Sequence, residues 1–269
     1  MPGLLKPIPS TVRASIDFLD PNLTEKPFSC LGAPPPNMPA TNIKPYPVEI
    51  VEHDSETLGH LETDAGKVAY YKEMEQLLLS TLPGSTRVHV FNSTIRKKKH
   101  DAPSASSART PENTGPVSRA HNDNTPTTGA RRVFLEMGEE AEDLSQRRCQ
   151  IVNVWRPLSY PAQDCPLAYM DYRTLSPADL RATDLILPAR SNEGNRKGEN
   201  YSVLHNPQQK WYFLSDQTPS ECVVFKIYDS HPSSPSAATL TPHSAFVNPT
   251  APADAKPRQS IEIRALVFY

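Results

Sequence analysis

Three runs in the second half of the chain, QIVNVW (Gln150 to Trp155), ECVVFKIY (Glu221 to Tyr228) and QSIEIRALVFY (Gln259 to Tyr269), are rich in β-branched and aromatic residues and are separated by proline-rich turns. No helical pattern of similar length alternates with them, which argues against a parallel sheet with helical crossovers. The fold expected is mainly β, a closed or jelly-roll structure with a few flanking helices and long proline-rich loops. Proline supplies 29 of the 269 residues and glycine only 10, so the connections are rigid rather than flexible. That length suits one hydrophobic core, and a single domain spanning 1–269 is expected, with residues 1–47 as an extended proline-rich arm and 86–269 as the β core.

Helical signal is sparse. AGKVAYYKEMEQLLL (Ala65 to Leu79) sets Val68, Tyr71 and Leu78, and partly Met74 and Leu77, on one stripe. Shorter helical pieces are expected around Glu139 to Gln146 and from a Ser176 cap through Leu180, and RVHVF (Arg87 to Phe91) alternates as a strand. Between His100 and Thr128 the composition turns to Ser, Thr, Pro, Asn and Ala, which alone would suggest a linker. Its last third contains Ala120-His121-Asn122-Asp123, a histidine and an acid at a ligand spacing, and so is read as part of a site.

The net charge of −2 offers no footprint for nucleic acid or an anionic membrane, and a small or neutral substrate is expected. The basic run Arg96, Lys97, Lys98, Lys99, His100 is read as a solvated loop. Cys30, Cys149, Cys165 and Cys222 lie far apart with no C-x-x-C, as expected of reduced thiols in an intracellular protein. No apolar leader and no stretch near 18 uncharged apolar residues is present, so a soluble, cytoplasmic protein is expected.

Two imidazoles and one carboxylate on one side of an iron(II) ion leave the other positions open for co-substrate and dioxygen. His121 and Asp123 at i and i+2 leave the same face of a strand end, and His243 in LTPHSAF is the candidate third ligand. An H-x-D pair is common by chance, and His60-Leu61-Glu62 is a decoy of similar form. The C-terminal strand adds weight, because Arg258, Ser260, Glu262 and Arg264 fall on one face and Ile261, Ile263 and Ala265 on the other. A guanidinium there can clamp a carboxylate through two bonds, and 2-oxoglutarate carries one at each end. The competing reading pairs these arginines with Glu262 or nearby acids on an exposed face.

The segments FNSTIR, AHNDNTP, IVNVWRPL, KWYFLSDQTP, TPHSAF and RQSIEIRALVFY, running in order from about Val88 to Tyr269, resemble the fungal non-haem iron(II)/2-oxoglutarate-dependent hydroxylase/desaturase family. The resemblance implies a double-stranded β-helix of the jelly-roll or cupin kind, with His121, Asp123 and His243 as iron ligands. It also implies C–H hydroxylation or desaturation of a small secondary metabolite. The ending R-x-S-I-x-x-R further resembles the AlkB oxygenases, which implies Arg258 as clamp of the distal 2-oxoglutarate carboxylate, Ser260 as its hydroxyl partner and Arg264 as a contact at the C1 end. AHNDNTP departs from the expected pattern in lacking a glutamine or similar residue after the aspartate. Arg156, Tyr201 and Tyr212 are the candidates for substrate contact. Alternatives are a redox-silent isomerase, cyclase or ligand-binding protein on the same fold, or an interaction protein organised by its proline-rich arm.

Overall fold

The computed structural model describes residues 12–18, 28–30, 40–45, 50–98, 115–187, 196–234 and 237–269. Pro34 to Pro36, Lys99, His100 and most of the serine-rich loop that follows lie outside the described residues. The strands are β1 (Val12–Ser15), β2 (Phe28–Cys30), β3 (Ala40–Pro45), β4 (Val51–Glu52), β5 (Arg87–Lys97), β6 (His121–Asn122), β7 (Cys149–Pro157), β8 (Leu167–Met170), β9 (Leu180–Leu187), β10 (Arg196–Val203), β11 (Trp211–Phe213), β12 (Glu221–Asp229), β13 (His243–Ala245) and β14 (Gln259–Phe268). Among the described residues three α-helices join them: α1 (Asp64–Thr81), α2 (Pro126–Met137) and α3 (Ala141–Ser145).

Two facing sheets result, mainly antiparallel, as the strand runs predicted. One has the order β1-β3-β11-β8-β13-β6-β10-β9-β2, the other β4-β12-β7-β14-β5. Pieces of the N-terminal arm are therefore strands of the larger sheet, pairing parallel to β11 and β9 through β3 and β2. Among the described residues no helix is long and apolar enough to cross a membrane.

Period-two alternation assigns each strand's residues to layers. Val152 and Val154 of β7 and Ile261, Ile263, Ala265 and Val267 of β14 face outward and pack beneath α1. Ile151 and Trp155, with Leu266 and Phe268, face inward against Leu167 and Tyr169 of β8 and Ala245 of β13. The alternation along β14 survives a register shift, because the extra residue, Phe91, is taken up on β5 between Val90 and Asn92. A third apolar layer, Ala14, Ile16 and Phe18, covers Ala168, Met170, Val203, Trp211 and Phe213 on the outer face of the larger sheet.

Helix α1 matches the expected boundaries closely, but its buried stripe is Tyr70, Met74, Leu77 and Leu78, while Val68 is 54% exposed. Burying Tyr70 and Met74 completely is worth about 1.5–3 kcal/mol for a side chain of this size. Its start is set by Thr63, whose hydroxyl accepts from the Gly66 amide. The expected helical piece after Ser176 is a single 3-10 turn, Pro177–Asp179, closed by a capping box and ended by β9.

Helix α2 was hidden in the low-complexity stretch. Thr125 caps it with a reciprocal Thr128 bond, Pro126 supplies the first turn, and Gly129, Val133 and Met137 form its buried edge. That threonine–proline pair was the available signal.

Candidate metal centre

The larger sheet carries the candidate ligands on its inner face. Strand β6 pairs His121 with His243 on one side and with Ser202 of β10 on the other, and His243 in turn pairs with Tyr169 of β8. Directly paired residues share a face, so both histidines and Tyr169 point into the space between the sheets. Asp123, one residue beyond β6, places Oδ1 3.6 Å from His121 Nε2. One ligand atom from each of His121, Asp123 and His243 lies within 4.8 Å of the others. The decoy residues His60 and Glu62 are exposed and stand apart from this cluster.

Backbone contacts fix the imidazoles. His121 Nδ1 is 2.7 Å from the Arg119 carbonyl oxygen, and His243 Nδ1 is 3.0 Å from that of Thr241. A carbonyl can only accept, so each Nδ1 carries the proton and each Nε2 keeps its lone pair for a metal. Burial, followed by the neighbouring His121, pushes the His243 pKa down, which keeps this ring neutral. Asp123 is also desolvated, which works to raise its pKa, but the Arg264 charge and the histidines hold it well below the usual carboxylate range. Two imidazole nitrogens and a carboxylate oxygen are the donor set that a divalent ion of the iron type requires.

The carboxylate is also oriented. Asp123 Oδ2 accepts from Asn153 Nδ2 at 2.9 Å and from Arg264 Nε at 3.0 Å, leaving Oδ1 toward His121. Arg264, expected near the C1 end of a co-substrate, is instead engaged by Asp123, by Asn92 at 3.1 Å, by Thr94 at 3.2 Å and by Glu262. The competing sequence reading was thus half right: Arg264 does pair with Glu262, but in the interior, where Glu262 is 5% exposed.

Arg258 is buried, its guanidinium 5.4 Å above the Trp155 ring, with Nη1 donating to the Cys165 carbonyl at 2.9 Å. Its Nε, the Ser260 hydroxyl and the Tyr169 hydroxyl are buried and find no partner among the described residues. Three donors left unpaired would be costly unless an acceptor fills the space. Burial, followed by the nearby Glu262, raises the Tyr169 pKa well above its usual value, so the phenol stays protonated and can donate. Tyr169 was missed in the sequence because its place beside His243 depends on a pairing between strands more than 70 residues apart, which no local pattern shows.

The three expected substrate contacts part company. Tyr212 pairs with Tyr169 and so shares the face of the histidines. Tyr201 pairs with Asn122, one residue out of step with His121, and points to the other side of β10. Arg156 pairs with Ile261 on the outer side of β7, where it donates to the carbonyls of Pro219 and His53, both at 2.6 Å. Strand alternation turns Arg156 and Tyr201 away from the cluster, to the opposite side of their strands.

A family profile described as oxidoreductase/YMDC permease-like domain matches residues 42–268. Aspirochlorine biosynthesis protein N of Aspergillus oryzae is 43% identical over 144 residues, which is 54% of this chain and 58% of that protein, so the match spans little more than half of the relative. The hydroxylase/desaturase efuI of Hormonema carpetanum is 32% identical over 214 residues, covering 76% of this chain and 70% of the relative. A solved structure of the iron and alpha-ketoglutarate-dependent endoperoxidase NvfI superposes with a TM-score of 0.78 at 25% identity, over 96% of this chain and 98% of that one. The likeness extends over both sheets, and with the profile and the efuI match it shows that the chain belongs to the oxidoreductase/YMDC permease-like family, among the fungal hydroxylase/desaturases.

Proposed function

We propose that this chain is an iron(II)/2-oxoglutarate-dependent oxygenase that hydroxylates or desaturates a small molecule, on the strength of one juxtaposition. A two-histidine, one-carboxylate cluster opens onto the same interior as three buried, unpartnered donors, Arg258 Nε, Ser260 Oγ and Tyr169 Oη. The first suits iron(II), and the second suits a carboxylate of a short diacid. The iron and alpha-ketoglutarate dependence of NvfI and the hydroxylase/desaturase class of efuI support this reading.

Iron(II) with 2-oxoglutarate supplies the activation of dioxygen and the oxidation of an unactivated C–H bond, the co-substrate leaving as succinate and carbon dioxide. The protein's part is coordination, orientation and exclusion of water. His121 and His243 present Nε2 because their Nδ1 protons are committed to backbone carbonyls. Asp123 presents Oδ1 because Asn153 and Arg264 occupy Oδ2. Arg258, Ser260 and Tyr169 would hold the far carboxylate of the co-substrate, while Trp155, Phe225 and Leu167 keep the surroundings apolar. Tyr212 is the remaining candidate for touching substrate. The whole chain is read as one catalytic unit, and Cys149, Cys165 and Cys222, free and buried among the described residues, suit a reducing, intracellular setting.

Anaerobic titration with iron(II) and 2-oxoglutarate tests the reading through the visible charge-transfer band of the chelate. His121→Ala, Asp123→Ala and His243→Ala should each abolish iron binding, and His60→Ala should not. Iron lost in His60→Ala but kept in His121→Ala would overturn the ligand assignment.

A further inference from the structure

Arg264 sits between two carboxylates, the partly buried Asp123 and the buried Glu262, with Glu262 two residues earlier on the same face of β14. Its Nε and both terminal nitrogens are all engaged, so the guanidinium is held as a fixed plate against the Oδ2 side of Asp123. Placing a cation there has a cost, because a dication bound at Oδ1 would face a full positive charge across one carboxylate. In this largely enclosed space that repulsion is screened less than at an open surface. Glu262 supplies the missing negative charge at the far side of the same guanidinium, and it is neither a ligand in the cluster nor one of the unpartnered donors.

We propose that Glu262 is a positioning residue for the metal centre: it holds Arg264 against Oδ2 of Asp123, so that Asp123 offers Oδ1 alone, and it offsets the charge that Arg264 sets against a bound dication. The inference rests on the reading of His121, Asp123 and His243 as a metal site. It gives Arg264 a partner on each side and explains why an acid occurs in the middle of the R-Q-S-I-E-I-R ending, on the inner face of an interior strand.

The test is titration of the metal-free full chain with cobalt(II), followed by its visible ligand-field absorption, with thermal melting measured in parallel. Glu262→Gln keeps the size and an oxygen acceptor but removes the charge, and cobalt affinity should fall by about tenfold, less than the loss of a direct member of a buried charge pair gives, because Glu262 acts on the metal through Arg264. Glu262→Asp, which keeps the charge, should stay within about threefold of wild type. Because Glu262 acts through Arg264, the loss caused by Glu262→Gln should shrink to about twofold or less in an Arg264→Gln background. Unchanged affinity in Glu262→Gln, or a loss that persists in full without Arg264, would overturn the proposal. Should Glu262→Gln not fold, a tenfold loss in Glu262→Asp would overturn it equally. Failure of the wild-type chain to bind cobalt, or binding that survives His121→Ala, would sink the metal-site reading itself. Loss in His121→Ala with no effect of Glu262→Gln would refute the role of Glu262 alone.

Discussion

Replacing Arg258 with methionine keeps an unbranched stem beneath Trp155 while removing the guanidinium, and so separates carboxylate recognition from packing. One of the terminal nitrogens is already committed to the Cys165 carbonyl, and Nε is buried without a partner. The structure therefore leaves about two charge-assisted bonds for an incoming carboxylate, each worth about 1.5–3 kcal/mol. Allowing for water that enters the vacated space, the net loss is about 3 kcal/mol, or about 100-fold in the dissociation constant for 2-oxoglutarate. Iron binding should be unchanged, since Arg258 touches none of the three ligands. The assay is anaerobic titration of the iron-loaded protein with 2-oxoglutarate, read at the charge-transfer band. Arg258→Lys should recover part of the loss, because an ammonium supplies charge without the planar fork. A dissociation constant within about threefold of wild type in Arg258→Met would refute the reasoning and leave Arg258 as a packing residue.

Arg156→Met should leave iron and 2-oxoglutarate titrations intact but lower the urea midpoint, costing about 2–4 kcal/mol, because the carbonyls of His53 and Pro219 lose a buried charged donor. A Cβ at position 66 would lie 1.8 Å from the His60 carbonyl oxygen, so Gly66→Ala should destabilise by more than about 2 kcal/mol despite the helix preference of alanine, whereas Gly59→Ala, with open space around it, should be mild in thermal melts. Asp229 is desolvated, yet hydrogen bonds from Arg148, Lys226 and Gln150 bring its pKa down to about 2. A depressed carboxylate stabilises the fold above its unfolded pKa and loses that contribution as pH falls, so about 1–2 kcal/mol, discounted for the partly exposed cations, should disappear between about pH 4 and pH 2. Asp229→Asn should flatten this part of the stability–pH curve, and an unchanged slope would contradict the assignment.

Local chemistry in the sequence determined a good deal. The β-rich runs around Ile151, Phe225 and Ile263 became interior strands because alternating apolar side chains can satisfy two layers at once, and α1 formed where a threonine cap precedes a helical stripe. The i, i+2 spacing put His121 and Asp123 together, and the alternation of β14 put Arg258, Ser260, Glu262 and Arg264 on one face. Spacing could not say what that face met. Only the pairing of β13 with β6 on one side and β8 on the other brought His243 and Tyr169 to His121, and only the packing of the two sheets face to face set Arg264 of β14 against Asp123 rather than in open space. The same pairing turned Arg156 and Tyr201 to the far side of their strands, a choice that hangs on a register of one residue. Register between distant strands is decided by which faces can be buried together, a property of the whole packed interior, and so no window of the sequence contains it.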